Sequence, residues 1–273
     1  MQISRVDAVP VSYPEPNDSG AIRHLCFVRT TASDGTVGWG ESITQWPEAS
    51  LATREIVRGL APLVVGSNPQ HVEAIWRRML DHVWWYGYRG GIASNAIAAI
   101  DMSLWDLAGK LSGRSVLDLL GGPVHDRLPA IVSCHAFRAD IDELVEEMTG
   151  WVGDHRHGIK IGFGKRGDSR LGFEHDRDVE FVGKLRNALG PDKQIMVDLG
   201  ITNRWDVATA VRRTRAFEEF GLAWIEEPLG AWDPDGYRDL RAKTSTLIGY
   251  GEREWEPAGY GRILQTGTVD VVG

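Results

Sequence analysis

The amino-acid sequence predicts an α/β protein in two parts: an α+β capping domain over residues 1–130, then a partial barrel of alternating strands and helices over residues 131–273. Three observations carry this prediction. Strand-like and helical segments come in separate blocks in the first part, the signature of an α+β layout. They alternate strictly in the second part, as a parallel sheet with crossover helices requires. Carboxylates close successive apolar runs in that second part, at the strand ends where barrels gather their chemistry.

The elements follow in order. MQISRVDAVPVSYP, at the start, alternates polar and apolar residues with the period of a strand, and lacks the charged head and long apolar core of a signal peptide. HLCFVRTTASDGTVGWGES holds two β-type runs around Asp34-Gly35, a hairpin signal. Helical apolar spacing then appears in ASLATREIVRGLAPLVVG and HVEAIWRRMLDHVWW. In SNAIAAIDMSLWDLAGKLSG it places Ile97, Ile100, Leu104, Leu107 and Leu111 on one stripe that ends at a glycine stop.

In the second part, each apolar run is followed by an amphipathic helix. The runs are AIVSCHAF, GIKIGFG, QIMVDLG, LAWIEEP and TLIGYGE, with VDVVG at the end, making six strands and five helices. A Rossmann-type sheet would place a glycine-rich phosphate turn after its first strand, and AIVSCHAF has none. The barrel is the better reading.

Composition narrows the function. Hydrophobic residues make up 42% and charged residues 25%, enough apolar material for a sizeable core. A net charge of −8 without a lysine or arginine block argues against a nucleic-acid surface. No run approaches the roughly 18 apolar residues of a membrane span. Cys26 and Cys134 lie far apart with no C-x-x-C, which speaks against a disulfide framework or zinc site and for a cytoplasmic protein. Eleven tryptophans are many, and the aromatic stretch VWWYGYRGG reads as core or subunit-interface packing rather than a cofactor box.

The chemistry concentrates in Asp198, Glu226 and Glu252, which close three consecutive strands with separations of 28 and 26 residues, each about one strand–helix unit. Three carboxylates at neighbouring strand mouths repel one another unless protonated or bridged by a cation. An all-oxygen set suits a hard ion such as magnesium. Glu226 and Glu227 stand side by side, and neighbours on a strand face opposite ways; on parity alone either could face the site. Lys160, inside the apolar run GIKIGFG, is costly to bury charged, so its pKa is expected to fall and give a neutral amine.

IMVD, WIEEP and GYGE, in this order and spacing, resemble the three metal-ligand motifs of the enolase superfamily, in its mandelate racemase and muconate lactonizing enzyme branch. NAIAAIDMSLWDLAGKLSGRSVLDLLGG is similar to that family's junction between cap and barrel, and DGTVGWGE to its cap hairpin. The resemblance implies a modified (β/α)7β TIM-type barrel, Mg2+ as cofactor, and abstraction of a proton α to a carboxylate with Lys160 as base. It makes Asp198, Glu226 and Glu252 the metal ligands and gives Glu227 a supporting role beside them. Substrate specificity is expected from cap loops, with Tyr13, Arg23, His24 and Trp46 as candidates. The substrate class implied is a sugar acid, the reaction loss of water to a 2-keto-3-deoxy acid, with racemisation as the alternative. A homo-oligomer is implied too, with Trp84-Trp85-Tyr86 as a candidate contact.

The chain departs from the family pattern at three places. Lys160 matches the second lysine of the family's K-x-K motif, so Gly158 stands where the first would be. Gly200 replaces a frequent asparagine. Lys165, Arg166 and Arg170 follow the strand, and read as solvated loop charges, with anion binding as the alternative. VDVVG ends the chain at Gly273, about where the family continues toward an aspartate and a histidine, so the last two barrel strands are expected to be absent. A non-catalytic relative or inactive fragment is the competing expectation.

Overall fold

The computed structural model describes the whole chain except Ser19, Tyr88, Arg89, Arg166, residues 201–204 and Trp232, together with the side chain of Asn17. It divides into two compact units, Met1–Asp126 and Arg127–Gly273.

The first unit is an antiparallel sheet with helices. Strands β1 (Ile3–Glu15), β2 (Ala21–Ala32) and β3 (Val37–Ile43) pair in that order, with the β2–β3 turn at Asp34-Gly35, where Gly35 takes a positive φ of 89°. Helices α1 (Pro47–Val64), α2 (Val72–His82), α3 (Ile92–Ser112) and the short α4 (Val116–Leu119) follow. The predicted stripe on α3 is buried at Ile97, Ile100, Leu104 and Leu107, with Leu111 packed beside it. Gly38 and Gly40 explain the glycines of the hairpin motif. A Cβ at Gly38 would stand 2.7 Å from the Cβ of Leu107, and one at Gly40 would stand 2.9 Å from the backbone nitrogen of Ser103. Only glycine lets β3 lie this close to α3. A buried 2.6 Å hydrogen bond between the hydroxyls of Thr30 and Ser103 ties β2 to the same helix.

The second unit is a six-stranded parallel sheet in sequential order: β4 (Ile131–His135), β5 (Gly158–Gly162), β6 (Gln194–Asp198), β7 (Trp224–Glu226), β8 (Ile248–Tyr250) and β9 (Val271–Val272). Helices α5 (Ile141–Val152), α6 (His175–Leu189), α7 (Val207–Glu218), α8 (Pro234–Lys243) and α9 (Pro257–Thr266) connect them. Three of these helices start on an aspartate that caps a free backbone N–H: Asp140 accepts from Glu143, Asp206 from Thr209 and Asp233 from Gly236. Ile159, Ile161, Ile195, Val197, Ile225 and Ile248 are fully buried and cluster with helix residues such as Leu144, Phe181 and Phe217. Side chains alternate along a strand, so burying this set turns Lys160, Asp198 and Glu226 to the other face.

The four-residue α4 is too short to give a periodic signal in the sequence. Val83 is buried in the core, whereas Trp84, Trp85 and Tyr86 are 61%, 80% and 56% exposed, so of the two expected roles core packing does not account for these three; Tyr88 and Arg89 lie outside the described residues. No helix among the described residues is long and apolar enough to cross a membrane.

Candidate active site at the strand ends

Register brings the predicted residues together. Gly162 pairs with Asp198, Asp198 with Glu226, and Glu226 with Gly249, so the C-terminal ends of β5 to β8 stand level. Glu252 lies two residues beyond β8. Lys160 enters from the middle of β5, and its amine reaches the acids: Nζ donates to Glu226 Oε2 at 2.9 Å and stands 3.6 Å from Asp198 Oδ2. Further donors orient the pair. The indole of Trp224 donates to Glu226 Oε2 at 3.3 Å, and the backbone N–H of Gly200 donates to Asp198 Oδ1 at 3.1 Å.

The electrostatics of Lys160 reverse the expectation from sequence. Burial alone lowers the pKa of its amine, but the hydrogen bond it donates to Glu226 and the negative charges of Asp198, Glu226 and Glu252 together raise it. A lysine among acids is a counter-ion. Glu252 is shifted upward, first by burial and then by the charges of Asp198 and Glu226. The three carboxylates therefore act on one another, although Glu252 is 51% exposed and its Oε1 lies 3.2 Å from Arg253 Nη2.

Among the described residues, no three His, Cys, Asp or Glu side chains stand as a ready-made metal cage. The donor chemistry nonetheless fits a hard divalent cation. Asp198 and Glu226 each turn an oxygen toward one point, where the Lys160 ammonium sits. Glu252, half exposed beside Arg253, feels the charges of Asp198 and Glu226, and the three carboxylates together offer an all-oxygen set of the kind magnesium takes.

The difference between Glu226 and Glu227 is visible in the backbone. Glu226 ends β7 facing the other acids. Glu227 adopts a positive φ of 47°, leaves the strand alternation and is buried at 3% exposure, with its Oε2 against Arg253 Nη1.

The glycine departures also have physical reasons. A Cβ on Gly158 would run into the backbone of Gln194, its register partner on β6; no lysine fits there with the strands as they are. A Cβ on Gly162 would stand 2.9 Å from Lys165 Cε, and one on Gly200 would stand 2.7 Å from Lys165 Nζ. Lys165 therefore folds back over the ends of β5 and β6 rather than pointing away as a solvated loop charge, and its charge is felt at Glu252. Two glycines facing one loop lysine were the available signal, legible only once the strands were in register. Arg166 lies outside the described residues. Arg170 pairs with Glu174 at 3.3 Å at the surface.

The specificity candidates all lie in the first unit. Tyr13 and Arg23 are cross-strand partners and both reach Glu15, at 3.1 Å each. The backbone carbonyl of His24 accepts from Thr44 Oγ1 at 2.7 Å, and Trp46, 59% exposed, precedes α1.

A sheet-and-helix unit joined to a parallel six-stranded sheet, a partial barrel with acidic strand ends, defines the class. Residues 18–121 match the family described as mandelate racemase/muconate lactonizing enzyme, N-terminal domain, and residues 142–273 match the enolase C-terminal domain-like family. The chain belongs to the mandelate racemase/muconate lactonizing enzyme branch of the enolase superfamily. It is 33% identical over 250 residues to L-rhamnonate dehydratase of Saccharopolyspora erythraea, a match covering 90% of this chain and 58% of that one. It is 29% identical over 250 residues to D-galactarolactone cycloisomerase of Agrobacterium fabrum, covering 90% and 62%. Its fold resembles a crystal structure of L-talarate dehydratase from Polaromonas sp. JS666, complexed with Mg and L-glucarate, with a TM-score of 0.84 and 28% identity over 99% of this chain and 71% of that one. The chain thus spans about three fifths of the length of the two curated relatives, 58% and 62%.

Proposed function

We propose that this chain carries the proton-abstraction site of a magnesium-dependent sugar-acid dehydratase. The observation that carries the reading is the convergence of Lys160 Nζ on Asp198 and Glu226, with Glu252 within their field. Two relatives support the substrate class: one is named a dehydratase of L-rhamnonate, and a structural neighbour is held with Mg and L-glucarate.

Asp198, Glu226 and Glu252 would hold the ion. Magnesium bound there supplies positive charge where the deprotonated substrate develops negative charge. Lys160 projects its amine from the middle of β5; with the three acids committed to the ion, the charges that raise its pKa would be offset and burial would favour the neutral amine, which takes the proton α to the substrate carboxylate. The C–H electron pair becomes the new double bond, the β-hydroxyl departs as water with a proton from an acid, and the enol so formed tautomerises to a 2-keto-3-deoxy acid. Lys165, lying over Gly162 and Gly200, supplies a second cation for an anionic substrate.

The test is to follow deuterium exchange at the α-carbon and 2-keto acid formation on L-rhamnonate and L-glucarate, with Mg2+ present. Exchange with keto-acid formation, both abolished in Lys160→Ala, is the expected result. The cycloisomerase relative favours a second reading, in which the same proton is abstracted but an isomer forms. Exchange without keto acid on every acid tried would overturn dehydration in favour of it. No exchange at all would leave a non-catalytic relative.

A further inference from the structure

We infer that Arg253 is a positioning residue for the proposed metal site: anchored by the buried carboxylate of Glu227, it fixes the carboxylate of Glu252. The inference rests on the reading of Asp198, Glu226 and Glu252 as ligands.

Glu227 is an unusual anchor. It is a non-glycine residue with a φ of 47° and 3% exposure, a strained and buried combination that the surrounding structure must hold in place. Its backbone N–H donates to the carbonyl of Gly249 at 3.0 Å, stitching the end of β7 to β8. Its Oε2 meets Arg253 Nη1, while Oε1 has no hydrogen-bond partner among the described residues. A buried carboxylate with one cation holds that cation tightly. The other arm of the same guanidinium, Nη2, lies 3.2 Å from Glu252 Oε1. One planar fork therefore spans two carboxylates that follow neighbouring strands, a geometry arginine suits and lysine does not.

Glu252 depends on this contact. Half exposed and repelled by Asp198 and Glu226, it would turn to solvent without Arg253. The charge of Arg253 is itself offset by Glu227, so the pair is close to neutral toward an incoming cation. Orientation, not repulsion, then sets its effect on metal binding. Partners that orient a ligand are typically worth about 10–100-fold in metal affinity.

The experiment is calorimetric titration of the 273-residue chain with Mn2+ alone. The Glu227→Gln/Arg253→Gln double variant removes the buried carboxylate and its cation together, so that neither is left unpaired. It is expected to bind Mn2+ about tenfold more weakly while retaining a native circular dichroism spectrum. Arg253→Lys keeps the charge, loses the fork and should weaken binding as well. A folded double variant with wild-type affinity would overturn the inference. If the double variant does not fold, an unchanged affinity in Arg253→Lys overturns it equally. Saturable binding absent from the wild type, or undiminished in Asp198→Ala, would bring down the metal reading itself and this inference with it, a result distinct from failure of Arg253 alone.

Discussion

At the residue scale, small atoms decide what the strands can carry. Gly158 is closed to side chains by the backbone of Gln194, whereas Gly150, inside α5, has nothing within 4 Å of an added Cβ. Gly158→Lys is therefore expected to destabilise by about 2 kcal/mol through overpacking, and Gly150→Ala to stabilise by about 0.5–1 kcal/mol. Urea midpoints measured side by side check both signs. Asp101 supplies a pH test. Its carboxyl is pushed up to about 6, first by burial and then by the charge of Glu73, from the ordinary 3.8. The folded state binds the extra proton, so stability falls as pH rises from about 3.8 to about 6. Asp101→Asn should flatten that fall and, allowing for partial exposure, add about 1 kcal/mol above pH 7. Thermal melts across pH 4 to 8 would show it, and a wild-type slope retained in the variant would refute it.

At the element scale, order and type were legible because their signals are periodic. The α3 stripe, the Asp34-Gly35 turn and the six apolar runs all appear where the pattern placed them. What stayed hidden depends on register or on partners distant in sequence. Lys165 looked like a loop charge because nothing in GIKIGFGK tells that its stem crosses Gly162 and Gly200. The apolar strand around Lys160 predicts ready loss of its proton, but three acids at or just beyond the ends of other strands outweigh that burial. The pair Asp178–Arg213 had no local signal either. Asp178, on α6, is fully buried, accepts from the backbone N–H of Gly172 at 2.7 Å and pairs with Arg213 on α7. Arg213 also donates to the carbonyl of Phe173 at 2.9 Å, so the pair fastens the loop before α6. Removing one charge strands the other: Asp178→Asn should cost about 3–5 kcal/mol, read as a lowered melting temperature, while Asp176→Asn on the first turn of the same helix should cost far less.

At the scale of the whole molecule, ion binding and stability are linked. If Asp198, Glu226 and Glu252 hold Mg2+, ion at 100 times its dissociation constant adds about 2.7 kcal/mol to the folded state. The melting temperature should rise with Mg2+, fall back with chelator, and stop responding in Asp198→Ala; an undiminished response in that variant would place the ion elsewhere. The lysine between Asp198 and Glu226 bears on a different question, the order of events as the chain folds. Many metal sites bring together like charges that only the ion can reconcile, so that folding waits for it. Here a strand of the barrel brings its own ammonium to the acids as β5, β6 and β7 come into register. Asp198 and Glu226 thus have a cation of the chain's own between them as the strands come into register, and folding of this sheet is not expected to wait on an ion.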